Sequence, residues 1–575
     1  MNNWILIYNS SNTILNRTVF ENNQYQKMKC GDTCAYYKRD GRFVNDQLFF
    51  SSDQELIISD GVILNLCELK RKYQANDLMQ VIRCITEVYG ENYFTDFIGP
   101  FTGLHYSLKD NSLIAYGNQT GDAPIFYYTS KNFNMVSIDF NLIVDVLVEN
   151  NIAYTFDEMA ALYVMTFGYM IDNRTMISEI KRLSPGKYLY FKDSIIEIKE
   201  YHSFTFEDKE RTFDEAIELV DSGFRKAIKR CFDKDIEYGY QEHLADMSGG
   251  LDSRMTNWVA RDMGYNNVVN INYCQSSSNE LRCASGASAF LGNQFFHKQL
   301  DDASFIYNVD QIVNMNYGLA VFCGITGGEQ MLRSLNGSRF GLEHSGQLGD
   351  GSVGTYYHDN GTKRTFPQIA SIRYSSLIDC CIPQAVLAEL YEHEKFSVYT
   401  RAFLGMFSSH LIRRHYFYTV SPFLDINFLD VIYKIPISMR AGNRLYWAWI
   451  DKKYPEAGKL PSTRLRQGKA FEVFFSRAYR RVNRDIRKLG YRFGFAESST
   501  DPNNMNPFDY WYDTKPELRE FIHSYYLTNR PLLTPYQQTA DNVDKLYSSF
   551  KTMDKMLAMT VLGVMKRYFS LSKQK

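Results

Sequence analysis

The chain has no excess of either charge. Lys plus Arg number 64 and Asp plus Glu 65 among its 575 residues, so the basic surface that wraps nucleic acid nonspecifically is missing. The densest basic stretch, 477–488, reads as a solvated helix face. Long apolar runs are missing as well. No uninterrupted stretch approaches the roughly 20 residues that span a bilayer, and the best candidate, 556–565, reads as a short packed helix. The opening Met1-Asn2-Asn3-Trp4 lacks the basic region and apolar run of a secretory leader. Ten cysteines are scattered without metal-like pairing: Cys30 and Cys34 have no other ligand types nearby, and Cys380 and Cys381 are adjacent. The expectation is a cytoplasmic protein with reduced thiols, binding neither nucleic acid nor membrane.

What is present is a globular composition, 45% hydrophobic and 22% charged, in a chain long enough for two or three cores. The first 200 residues read as strand-rich. Trp4 to Tyr8, Glu55 to Ile58, Gly103 to Leu108, Ile125 to Tyr128 and Lys187 to Phe191 are short β-type runs separated by turn residues. This predicts an antiparallel, layered α+β domain over 1–205. From about 212 the pattern changes. A helix over Phe213 to Phe232 precedes Met247-Ser248-Gly249-Gly250-Leu251-Asp252-Ser253-Arg254. Met255, Trp258, Val259 and Met263 then recur at helical spacing. A strand over Val268 to Tyr273 and a helix over Asn279 to Leu291, closed by Gly292, complete an alternation that predicts a parallel sheet. The remainder reads as helix-dominated, giving further domains over 206–480 and 481–575.

The Ser-Gly-Gly-Xaa-Asp-Ser turn has a definite physical use. Glycines let successive backbone N–H groups face one concavity, and the helix N-terminus adds partial positive charge, so the turn suits phosphate. Ser248 and Ser253 can donate to phosphate oxygens. Asp252 would repel polyphosphate unless a magnesium ion bridges the two. The bland alternative is a serine-capped Gly-Gly turn.

This segment resembles the fingerprint of the N-type ATP pyrophosphatases (PP-loop enzymes), and no GxxxxGK[ST] loop stands here. Within that superfamily the chain is most similar to the asparagine synthetase family. Ser345-Gly346-Gln347-Leu348-Gly349-Asp350-Gly351 resembles the family's Ser-Gly-Glu-Gly-Ala-Asp-Glu loop, with Gly354 and Tyr356-Tyr357 echoing its closing Gly-Tyr. Pro422-Phe423-Leu424-Asp425 repeats a family motif. Gly121 to Tyr128 and Leu183-Ser184-Pro185-Gly186 are similar to segments of its N-terminal domain.

The resemblance implies an amidotransferase-like (Ntn-type) N-terminal domain, a parallel-sheet PP-loop synthetase domain, and a helical C-terminal extension. It implies ATP and Mg2+, with Asp252 and Asp350 as the metal-binding and catalytic carboxylates. Lys469 would neutralise charge at the α-phosphate. The nucleotide site would comprise Met247, Ser248, Gly249, Gly250, Leu251, Asp252, Ser253, Tyr273, Ser345 and Gly346, with Glu280 aligned to an acidic position on the next helix. The implied partners are a carboxylate substrate and ammonia or an amine; a separate ammonia-supplying protein and a homodimer stay open.

Two departures weigh on the N-terminal domain. Glutamine-dependent members carry a nucleophilic cysteine directly after the initiator Met, where this chain has Asn2. Their Asn-Gly at the oxyanion hole stands here as Asp60-Gly61, and a carboxylate there repels a developing oxyanion. Glutaminase activity is therefore expected to be absent. Gly351 replaces a family acid, which bears on metal binding and substrate choice. The expected activity is an AMP-forming amide ligase, with a glutamine-hydrolysing asparagine synthase, a tRNA-modifying PP-loop enzyme and a non-catalytic scaffold as alternatives.

Overall fold

The computed structural model describes residues 2–9, 15–192, 195–349, 351–355, 373–380, 382–384, 386, 393–463, 482 and 500–570. Trp4 to Tyr8 is apolar at every position because the strand that holds it, β1 (Asn3–Asn9), is covered on both faces. Trp4, Leu6 and Tyr8 point into one core and Ile5 and Ile7 into another.

β1 lies within a six-stranded antiparallel sheet with β2 (Gln26–Cys30), β3 (Thr33–Lys38), β8 (Phe126–Thr129), β9 (Phe133–Ser137) and β10 (Ile180–Arg182), in the order β10-β8-β9-β1-β3-β2. A second antiparallel sheet contains β4 (Leu48–Ser51), β5 (Glu55–Gly61), β6 (Phe101–Ser107), β7 (Ser112–Gly117), β11 (Lys187–Lys192) and β12 (Ile195–Glu200), ordered β12-β11-β7-β6-β5-β4. Their inner faces meet through Trp4, Leu6, Ile58, Leu104 and Leu189. The helices Leu66–Tyr73 and Leu78–Tyr89 cover the outer face of the second sheet. The helices Phe140–Glu149 and Glu158–Phe167 cover the first. The expected layered α+β arrangement is present.

The C-terminal helix Thr552–Tyr568 holds the 556–565 run, and its residues there are buried. It packs on Val309–Asn316, Glu158–Phe167 and Gln537–Tyr547, so its apolar surface belongs to the core that backs the first sheet. Among the described residues no helix is long and apolar enough to cross a membrane.

The third sheet is wholly parallel: β13 (His243–Asp246), β14 (Val268–Cys274), β15 (Gln294–Gln299), β16 (Leu342–His344) and β17 (Tyr418–Val420). Its order is β15-β14-β13-β16-β17. The chain grows outward from β13 on one side, then returns to start again with β16 on the other. Such a reversal leaves a crevice beyond the carboxyl ends of the two central strands. The helices Asp252–Asp262 and Asn279–Leu291 follow β13 and β14 as expected, and Gly292 closes the second at φ +69°.

Two features differ from expectation. The helix that starts at Phe213 runs to Glu237, five residues past Phe232. Its added turn buries Lys234 against Asp46 at 3.2 Å and Asp235 against His243 at 2.8 Å, so paired charges continue a helix whose apolar pattern has ended. β16 and β17, each three residues long, lie in the region read as helical. Three residues show no periodicity to read.

Candidate functional site

A cavity of about 350 Å³ opens at the crevice beyond β13 and β16. That is within the range of small-molecule sites, roughly 300–1,000 Å³. Met247 and Ser248 reach it from the end of β13, Tyr273 from β14, Ser345 and Gly346 from the end of β16, and Asp252 and Ser253 from the helix start. Seven of the expected site residues thus share one cavity. Gly249, Gly250 and Leu251 do not line it, and Leu251 packs into the core beneath. Asp350 and Lys469 lie outside the described residues, as do Tyr356, Tyr357 and most of the 477–488 stretch.

The glycine turn is held from behind. Gly249 N–H donates to Glu280 Oε1 at 2.6 Å, and Gly250 N–H donates to Ser248 Oγ at 3.2 Å. Both amides were expected to face phosphate, yet here side-chain oxygens occupy them. Glu280, which the sequence places on the next helix, is the brace. A Cβ at Gly249 would lie 2.7 Å from Glu280 Oε2 and 2.8 Å from Thr463 Cγ2, so a larger residue would displace both side chains. The Gly249 carbonyl accepts from Thr463 N–H at 2.9 Å and Ser462 Oγ at 3.1 Å. Facing the cavity are the Ser248 and Ser253 hydroxyls, 2.8 Å apart, and the start of an eleven-residue helix that has no side-chain cap. Uncapped first-turn N–H groups favour an anion.

The loop after β16 lies directly against that helix start. A Cβ at Gly346 would sit 2.3 Å from the Ser253 nitrogen, and one at Gly349 would sit 2.7 Å from Asp252 Cγ. Asp252 Oδ1 accepts from the Tyr446 hydroxyl at 3.1 Å. The glycines of the second loop therefore permit its approach to the first.

Four charged residues that sequence reasoning missed border this crevice. Buried Arg413 pairs with Glu343, lies 3.2 Å from Asp246, and donates to the Tyr273 hydroxyl at 2.8 Å. Glu343 also accepts from Thr419 Oγ1 at 2.8 Å. Burial pushes the Tyr273 phenol up to about 12 against the opposing charge of Arg413, so it serves as a neutral hydrogen-bonding group. Arg401 lines the cavity as well. No local pattern marks these residues, because they come from three separate segments.

Magnesium prefers an all-oxygen set. The Asp252 carboxylate at the cavity wall is such a donor, beside the place where an anion would meet the helix. Among the described residues, the group with metal-ligand geometry is Asp235, His243 and His344. It is buried and bonded within itself, with Asp235 Oδ2 at 2.8 Å from His243 Nδ1 and 2.7 Å from His344 Nε2, while His344 Nδ1 has no hydrogen-bond partner.

In the N-terminal part, Asn2 Nδ2 donates to Asp60 Oδ1 at 2.7 Å, and Gly61 N–H donates to the same oxygen at 2.7 Å. Asp60 is buried.

The fold and its crevice define a mixed α/β protein with a layered amidotransferase-like N-terminal part and a parallel sheet carrying a pocket at its reversal. Residues 43–202 match the family described as a glutamine amidotransferase domain. No curated protein matches the chain. Among solved structures it is similar to a glutamine phosphoribosylpyrophosphate amidotransferase from B. subtilis complexed with ADP and GMP. That pairing has 10% identity and a TM-score of 0.22, covering 51% of this chain and 59% of the other. A structure of an allosteric regulatory enzyme of purine biosynthesis shows 11% identity and a TM-score of 0.24, covering 52% of this chain and 74% of that one. This chain thus spans less than two thirds of the first of these.

Proposed function

We propose that the chain is an ATP-dependent, AMP-forming amide ligase that joins a carboxylate to a nitrogen nucleophile. A carboxylate oxygen attacks the α-phosphorus and pyrophosphate leaves; the nitrogen then attacks the acyl carbon, loses a proton and releases AMP. The observation that carries this reading is the convergence of Met247, Ser248, Asp252, Ser253, Tyr273, Ser345 and Gly346 on one cavity at the sheet reversal.

Ser248 and Ser253 would donate to the phosphates, and the helix beginning at Asp252 would stabilise their charge. Asp252, with Asp350, would hold a magnesium ion, which when bound offsets the negative charge of the polyphosphate. Tyr273 and Met247 would flank the adenosine. Lys469 keeps the α-phosphate role that the resemblance implies. Holding acid and amine in one closed site makes their reaction effectively intramolecular and excludes water. Asn2 and Asp60 together support a chain without its own glutaminase, with nitrogen drawn from free ammonia, an amine, or a partner protein.

The test is acid-dependent release of pyrophosphate and AMP by the purified full chain across a panel of carboxylates. Stoichiometric AMP with one acid is expected, and a chain that yields no AMP with any acid offered overturns the reading. A second reading, a working glutamine-dependent amidotransferase, is favoured by the domain match over 43–202. Ammonia release from glutamine separates the two: none is expected here, and sustained hydrolysis would restore the second.

A further inference from the structure

The turn that leads into β17 is gripped from the N-terminal part of the chain. The helix Ser408–Arg413 ends on Arg413, which lines the crevice. The Arg413 carbonyl accepts from Tyr416 N–H at 2.8 Å and from Phe417 N–H at 3.0 Å. Arg42, in the loop between β3 and β4, donates from Nη1 to the Tyr416 carbonyl at 3.1 Å. Its guanidinium carbon also lies 6.0 Å from the Phe417 ring centre and 5.7 Å from that of Tyr418. Asp40 orients this guanidinium, accepting from Nε at 3.2 Å and from Nη2 at 3.1 Å. Asp40 N–H in turn donates to Asn2 Oδ1 at 2.8 Å. Beside Arg42, Phe43 is buried in the core that also holds Leu251, and meets the Tyr418 ring edge-on. Gln47 Nε2 bridges the Arg42 carbonyl at 2.9 Å and the Tyr418 hydroxyl at 3.3 Å. One loop of the N-terminal part thus grips the turn that fixes the Arg413 backbone.

We infer that Arg42 is a positioning residue for the nucleotide site, acting through Arg413. This rests on the adenylating function proposed above and names a residue outside the crevice on which that site depends. The physical reason is charge. Asp246 ends β13 and Glu343 lies within β16, the two strands that frame the crevice. Arg413 is shared between their carboxylates. Displaced from them, it would leave two negative groups beside the place where polyphosphate would sit. Like charges repel more strongly where little water screens them. The two carboxylates hold the head of Arg413, the turn holds its backbone, and Arg42 holds the turn. Loosening that grip should therefore appear as weaker nucleotide binding, although Arg42 does not itself line the cavity.

The experiment measures equilibrium binding of MgATP to the full chain by calorimetry, well below the thermal midpoint of each variant. Arg42→Met should weaken binding by about tenfold, the lower end of what losing a hydrogen bond from a charged donor brings. Arg42→Lys, which can still donate to the Tyr416 carbonyl, should recover most of the affinity. A residue that acts through Arg413 loses its influence once that arginine is gone. In a background carrying Arg413→Met and Glu343→Gln, Arg42→Met should therefore change affinity by less than about twofold. Wild-type affinity in Arg42→Met, or the same loss in both backgrounds, overturns the role of Arg42 and leaves the ligase reading standing. Absence of MgATP binding to the wild-type chain removes both.

Discussion

The side-chain amide of Asn2 donates to the Asp60 carboxylate at 2.7 Å, while Asn2 Oδ1 accepts from Asp40 N–H at 2.8 Å. The two positions from which the sequence predicts loss of a glutaminase are bonded to each other. The pair is also sheltered, and Gly61 N–H donates to the same Asp60 oxygen. Each departure satisfies the other, so changing Asn2 alone to a thiol would leave the buried Asp60 without its amide donor.

Burial pushes the Asp60 carboxyl above its ordinary value, opposed by its hydrogen bond from Asn2 and the charge of Arg414. The unfolded chain therefore gives up this proton first. In the window between the ordinary carboxylate value and the raised one, the native state holds a proton that the unfolded state has lost. Stability from this group falls as pH rises through that window. Asp60→Asn keeps an acceptor for Asn2 and abolishes the titration. Its stability relative to wild type should climb with pH across the window and level off above it. Urea midpoints at a series of pH values check this, and a pH-independent difference would contradict it.

Asp252→Asn preserves an acceptor for the Tyr446 hydroxyl while removing a charge at the cavity wall. Acid-dependent pyrophosphate release should fall by about a hundredfold or more, the range seen when one electrostatic element of an active site is removed. The thermal midpoint should stay near that of wild type. A folded variant with full turnover would mean that the carboxylate is not used.

Gly346→Ala tests the close approach of the two loops. The added Cβ would lie 2.3 Å from the Ser253 nitrogen, so loop or helix must move. Overpacking of this kind typically costs about 1–3 kcal/mol. Denaturant unfolding measures it, and loss of nucleotide affinity should accompany the loss of stability.

Arg413→Met removes the cation that Glu343 and Asp246 share. Stranding a buried charge typically destabilises by about 3–5 kcal/mol. The double variant with Glu343→Gln should recover part of the loss, since Thr419 still has an acceptor. A double-mutant cycle without coupling would show that the pair contributes nothing to stability.

Much of this arrangement was legible in the chain itself. The apolar run at Trp4 to Tyr8, the strand–helix alternation from 247 to 291 and the capping Gly292 each report a local preference, and each element formed where its pattern placed it. The turn at Ser248 to Ser253 was also marked by its composition, and Ser248, Asp252 and Ser253 do line the cavity. What escaped was everything set by distance in space. Nothing near Gly249 indicates that Glu280, 31 residues away, takes its N–H.

The sequence by itself determined many of the strands and helices and marked out a turn whose residues gather at the crevice, because those follow from side-chain periodicity and backbone freedom over a few positions. Only the tertiary structure decided which of them face the crevice, that Arg413 balances Glu343 and Asp246 beside it, and that Asn2 meets Asp60. Those outcomes depend on how sheets and loops close on one another, where burial forces each polar atom to find a partner from whatever segment packs nearest.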